Sequence, residues 1–194
     1  TAGTTATIDA LVTGSSVAIL GSLTGDEAAA VSIGLSVARN EIDADTVATL
    51  RGVHAWAGRN GAITAVNDTA ITATSSAASI AVVAGLKGAT GLSGGGAVSV
   101  NIIGGDTTAE ISRTALETAK AITVSATHSA AIDATVKALA ANIALTANES
   151  ALGVAIGISV ARNLIGWSEF GGAFPIRVRA NAADSRLTAR GGDV

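Results

Sequence analysis

Large and small side chains alternate along several stretches of this chain. Val154, Ile156, Ile158 and Val160 are separated by Ala155, Gly157, Ser159 and Ala161, and Val31, Ile33, Leu35 and Val37 by Ser32, Gly34, Ser36 and Ala38. A period of two belongs to a β-strand, whose successive side chains point to opposite faces, and the β-branched residues at every second position favour the same conformation. A longer run places Ile122, Val124, Ala126, Ala130, Ile132, Ala134 and Val136 between Thr, Ser and Asp residues, and predicts one long strand or two collinear ones. Alanine is the strongest helix former, so Ala-rich helices over 27–40 and 134–147 are the competing assignment. The alternation is thinnest over 26–30 and 136–145. Strands are preferred throughout, because helical spacing of the large residues is absent.

The pattern recurs. Val31-Ser-Ile-Gly-Leu-Ser-Val-Ala-Arg-Asn-Glu-Ile42 returns as Val154-Ala-Ile-Gly-Ile-Ser-Val-Ala-Arg-Asn-Leu-Ile165, with a degenerate copy, Gly94-Gly-Gly-Ala-Val-Ser-Val-Asn-Ile-Ile103, between them. Asn40, Asn101 and Asn163 keep spacings of 61 and 62, each followed two positions later by Ile42, Ile103 or Ile165. Ile8, Ile71 and Ile132 keep an independent spacing of 63 and 61. A period of this length, holding several short strands, predicts an all-β stack in which each unit buries its faces against its neighbours. The expected fold is a repetitive, β-helix-like β-solenoid, with a repeat array over 1–165 and copies at about 4–62, 63–121 and 122–165. A turn of about 20 residues gives roughly ten rungs about 45 Å tall, whereas one repeat per turn gives about three rungs. Residues 166–194 break the pattern with Gly166-Trp-Ser-Glu-Phe-Gly-Gly-Ala-Phe-Pro175, expected to be a loop insertion or cap. Arg177-Val-Arg-Ala180 and Arg186-Leu-Thr-Ala189 after it read as the start of another repeat.

Composition explains how such a stack fills. Ala, Gly, Thr and Ser number 43, 23, 22 and 17, just over half of the 194 residues, while only 2% are aromatic and Met and Cys are absent. The large, adaptable side chains of an ordinary enzyme core are missing. Disorder is also disfavoured, since 48% of the residues are apolar and 14% charged. Small residues fit a narrow interior in which equivalent positions stack rung upon rung. A net charge of −3 supplies no basic field for nucleic acid. No apolar run nears the roughly 18 to 20 residues of a membrane-spanning helix. Without Cys the chain carries no redox signal, and without an initiator Met or a leader it is expected to be an internal or processed piece of something longer.

The recurring Gly-x-Ser-Val-Ala-x-Asn-x-Ile signature at Gly34 to Ile42 and Gly157 to Ile165, imperfect at Gly95 to Ile103, resembles the repeats of very large secreted bacterial surface proteins. These are the leukotoxin-like filamentous adhesins and giant repetitive autotransporter-type exoproteins. The resemblance covers about 4–165 and implies a β-solenoid stalk, export to the cell surface, and a structural role in adhesion or matrix. The partners it implies are like subunits, neighbouring repeats, or a host or matrix surface. It brings no catalytic residue and no cofactor.

Other chemistry competes with plainer readings. Gly91-Leu-Ser-Gly-Gly95 matches a nucleophile elbow, with Ser93, Asp106 and His128 in hydrolase order, but the elbow needs a strand-to-helix turn that a Gly-rich repeat strand does not provide. No catalytic residue is assigned. His54 and His128 lack a second ligand at metal spacing. Asp43, Asp45 and Asp106 at turns are weak calcium candidates, better read as local backbone acceptors. Thr5-Ala-Thr7 and Thr72-Ala-Thr74 offer paired hydroxyls of the kind a flat ice-binding face uses, though Ala131 to Ala134 does not continue them. Trp167, Phe170 and Phe174, with Trp56, form a possible contact patch for a partner or glycan, against the plainer role of capping an apolar edge. Asn67-Asp-Thr69 and Asn148-Glu-Ser150 are formal glycosylation sequons.

Overall fold

In the computed structural model, residues 1–22, 24, 27–147 and 150–194 are described. They are all-β, and no helix among them is long and apolar enough to cross a membrane, since none is helical. The chain passes three times through the same series of strands. The first pass makes β1 (Ala2–Ser22), β2 (Glu27–Asp43), β3 (Thr46–Arg51) and β4 (His54–Ala57). The second makes β5 (Gly61–Gly85), β6 (Gly88–Gly104), β7 (Thr107–Ser112) and β8 (Ala115–Thr118), and the third β9 (Ile122–Thr146), β10 (Ala151–Ile165), β11 (Val178–Ala183) and β12 (Arg186–Ala189). Equivalent strands pair in parallel, giving four three-stranded sheets in the orders β1-β5-β9, β10-β6-β2, β11-β7-β3 and β12-β8-β4. Segments 27–40 and 134–147, for which helix is the alternative, lie in or at the end of β2 and β9. Each of the four sheets thus holds three parallel strands. Asp26, in the weak stretch 26–30, and Asn148, of the second sequon, fall outside the described residues.

The register places the repeated landmarks opposite one another. Ile8 pairs with Ile71 and Ile71 with Ile132, while Asn40 and Asn163 both flank Asn101 and Ile42 and Ile165 both flank Ile103. Parallel in-register pairing puts identical side chains at the strand spacing of about 4.8 Å, so an apolar ladder stays apolar from rung to rung.

The sheet of β1, β5 and β9 forms one layer, and the three shorter sheets cover its inner face. β5, with 25 residues, runs about 80 Å at roughly 3.3 Å per residue. Where β2 and β6 face the later halves of β5 and β9 the layers are in backbone contact: a Cβ on Gly34 would strike the carbonyl of Ala78, and one on Gly95 would lie 2.6 Å from the carbonyl oxygen of Leu139. Beside these glycines the inward positions of β2 and β6 are all Ala, Gly or Ser, from Ala28 to Ala38 and from Ala89 to Ser99. The buried hydroxyls bond across the gap, Ser16 Oγ to Ser32 Oγ at 2.6 Å, Ser79 Oγ to the Ser32 carbonyl at 2.7 Å, and Ser93 Oγ to the Ser79 carbonyl at 2.8 Å. Midway the core widens to a cluster in which Ile71 faces Ile42 and Ile103, flanked by Ile8, Ile132 and Ile176. At the far end Ile111, Leu116 and Ile122 close it.

The large aliphatics of the alternating stretch, Val31, Ile33, Leu35 and Val37, face outward. Ile33 and Leu35 are 72% and 65% exposed, whereas Ser32 and Ser36 on either side of them are 3% exposed. The interior around Ser32 and Ser36 is small and lined with hydroxyls, and its exterior apolar.

Candidate functional site

The Asn landmarks make a one-directional chain of amide bonds. Asn40 Nδ2 donates to Asn101 Oδ1 at 2.8 Å, and Asn101 Nδ2 donates to Asn163 Oδ1 at 2.9 Å and to Ser99 Oγ at 3.2 Å. The middle amide therefore accepts from one rung and donates to the next. The series ends with the Oδ1 of Asn40 on one edge and the Nδ2 of Asn163 on the other.

Asp45 and Asp106 form a second inter-rung link. Asp45 Oδ1 accepts from the Asp106 backbone N–H at 2.7 Å, and Asp106 Oδ1 from that of Arg177 at 3.2 Å, with Arg177 Nη1 3.7 Å from Asp106 Oδ2. These carboxylates act as backbone acceptors. Among the described residues no group of three or more His, Cys, Asp or Glu is gathered as a metal centre, and Asp43 joins neither link.

The segment between β10 and β11 folds as a loop over the outer face of the β10-β6-β2 sheet. Gly166 N–H donates to the Ile103 carbonyl, Trp167 bridges Ala173 in antiparallel fashion, and Phe174 N–H closes on the Gly166 carbonyl. Glu169 reaches across two rungs to Arg39 Nε at 3.2 Å, and Arg39 also holds Glu41 at 2.6 Å. The hydrogen bonds that Arg39 donates to Glu169, then to Glu41, raise its pKa above the ordinary value. The Phe174 ring lies where a Cβ on Gly104 would be, and the neighbouring outward residues Val100 and Ile102 are buried. Phe174 thus anchors the loop, while Trp167 and Phe170 project, Phe170 at 93% exposure. Beyond the loop, Val178–Ala183 and Arg186–Ala189 pair with β7 and β8 as the third strands of their sheets.

The remaining candidates are dispersed. Ser93 is fully buried and spends its hydroxyl on Ser79, Asp106 lies beyond the far end of the same strand, roughly 40 Å along the extended chain, and His128 Nδ1 meets Thr107 Oγ1 at 3.2 Å. The three do not converge. The Thr pairs fall out of line, because Thr5 and Thr7 stand opposite Asp68 and Ala70, and Thr72 and Thr74 opposite Asp9 and Leu11. That breaks the stacked hydroxyl array an ice-binding face needs. Asn67, of the first sequon, is buried and donates to the Ala44 carbonyl at 2.5 Å, which leaves no room for a glycan.

Two surfaces escape the linear sequence. The outer face of β10-β6-β2 carries Ile33 and Ile156, then Leu35 and Ile158, as walls on either side of Gly94 and Gly96, which leaves an apolar trough. The outer face of β12-β8-β4 brings Trp56 and His54 together with Arg186 and Arg190 around a groove of about 570 Å³. Trp56 is separated from Trp167, Phe170 and Phe174, so the four aromatics form no single patch. Comparison with known protein families, with curated proteins and with solved structures finds no match to this chain.

Proposed function

We propose that this chain is a β-solenoid segment, with one copy of the repeat to each full circuit, that serves as a non-enzymatic structural module of an exported bacterial surface or matrix protein. It works by stacking, on neighbouring repeats of a longer stalk or on like subunits of a filament. The reading rests on the match between its two open ends. β1 to β4 form one edge and β9 to β12 the other, and long strand edges with free N–H and C=O groups recruit further strands. The residues these edges offer are complementary in register. At five of the six inward positions from Ala2 to Val12 the outer rungs carry the same residue, as in Ala2 and Ala126, Ile8 and Ile132, or Val12 and Val136. The Asn163 Nδ2 donor suits the Asn40 acceptor of a following unit, and Arg177 stands where that unit's Asp45 would arrive. Head-to-head stacking would set donor against donor. The resemblance of the signature to secreted surface repeats supports export, and a low-complexity exterior without Cys is compatible with it.

Sedimentation and negative-stain imaging across a concentration series test the reading. Elongated particles that lengthen with concentration, and that shorten when Asn163→Leu and Arg177→Glu are combined, are the expected outcome. A chain that stays monomeric and fails to add to an immobilised copy of itself would count against stacking.

A further inference from the structure

We propose that the groove on the outer face of the β12-β8-β4 sheet binds an acidic saccharide. Two rows of side chains cross this sheet: His54, Ala115 and Arg186 in one, Trp56, Glu117 and Thr188 in the next. Strand spacing puts His54 and Arg186 about 9.6 Å apart with only a methyl group between them, so Ala115 is the floor of a slot with cationic or polar walls. Trp56, 70% exposed, borders that slot with a flat apolar surface. Aromatic faces of this kind stack on the C–H face of a sugar ring, and an exposed indole otherwise has little reason to stand in a concave site.

The polar groups fit the rest of such a ligand. Glu117 is ion-paired with Arg190, a fixed donor and acceptor pair suited to neighbouring hydroxyls, while Arg186 makes no ion pair among the described residues and is available for a carboxylate. Charge is segregated along the molecule in the same sense. Residues 46–60, 107–121 and 178–194, which form this end, hold seven Lys and Arg against four Asp and Glu, a balance of +3, whereas the remainder holds five against eleven, −6. An anionic ligand is steered to this end. The carboxylate of Glu117 inside the groove argues against a polyphosphate backbone, which would meet it as a like charge, and for a ligand that mixes hydroxyls with spaced carboxylates. The groove is on an outer face, so stacking at the strand edges leaves it open, and saccharide binding stands or falls separately from self-association.

Quenching of Trp56 fluorescence in the Trp167→Phe chain, titrated with short oligogalacturonate and with its fully methyl-esterified form, tests this. Saturable binding of the charged form is expected, with the ester weaker by about tenfold, the effect of one charge-assisted contact. Arg186→Gln should abolish that preference. In a calorimetric titration Trp56→Ala should weaken both forms by about tenfold. Circular dichroism checks that these surface variants keep the fold. Equal binding of acid and ester, equal competition by a single-stranded oligonucleotide, or no saturable binding at all would overturn the proposal.

Discussion

Replacing Asn101 by Asp removes no atom from the core and changes only what the side chain can donate. Asn101 is fully buried, accepts from Asn40 and donates to Asn163 and Ser99. An introduced carboxylate keeps the bond from Asn40 but turns an oxygen toward the Asn163 carbonyl oxygen, so one donor bond becomes a repulsion. Ser99 can reverse its hydroxyl and partly compensate. A net hydrogen bond contributes about 1 kcal/mol and an unsatisfied buried group costs about 1 to 3 kcal/mol. Loss of the link to Asn163, discounted because Asn163 is exposed, together with burial of a charge, gives about 3 kcal/mol at neutral pH. For a chain of this size that is a fall of about 6 to 12 °C in Tm. Burial disfavours the charged form and raises the pKa of the introduced carboxyl above the ordinary value near 3.9. The penalty is therefore complete well above the folded-state pKa and shrinks as pH falls toward the unfolded-state value, where the protonated acid can again donate to Asn163. Thermal melts of Asn101→Asp and the unaltered chain between pH 7 and pH 4, followed by circular dichroism, give the difference directly. If the two melt together at pH 7, or the gap widens on acidification, the amide series does not hold the rungs as described.

Other substitutions probe the remaining features. Asn142 is buried with neither amide atom partnered among the described residues, in a row whose other members are Ala18 and Ala81, so Asn142→Ala should stabilise the fold by about 1 kcal/mol in urea unfolding; destabilisation would mean the amide has a partner. Gly95→Val drives a side chain into the Leu139 backbone and should cost at least about 3 kcal/mol, read as a lowered urea midpoint, with an unchanged midpoint showing that the layers are not in contact. Phe174→Ala should release the loop, raising hydrogen exchange at Val100 and Ile102 while Tm falls by only a few degrees, about 1 to 2 kcal/mol for a half-buried ring. Unchanged exchange there would place the anchor elsewhere.

Much of the strand pairing was legible because repetition reports register: Ile8, Ile71 and Ile132 share a row for the same reason they share a spacing. Alternation, however, has no sign. Val31 to Val37 read equally well with either face inward, and the deciding factor, the contact between the Gly34 backbone and Ala78, joins residues far apart in sequence. Asp45 and Asp106 were visible as repeated turn residues, but their partners are backbone N–H groups, which carry no sequence signature. Phe174 announced itself as an aromatic and gave no hint of Gly104. The Trp56 groove was hidden most completely, since His54 and Ala115 stand one repeat apart but His54 and Arg186 more than two, the last interval lengthened by the inserted loop.

That loop changes how variation in length can be absorbed. Partner numbers differ by 61 across β3 and β7 and by 71 across β7 and β11, and the ladder continues without a bulge. Nine of the ten extra residues leave and rejoin at one corner, between Ile165 and Val178, lie on the outside, and disturb none of the rows within. The corner after Ile165 is thus a port: longer or chemically different segments can be grafted there without cost to the stack, and a scaffold of nearly identical rungs can display a different appendage at each level.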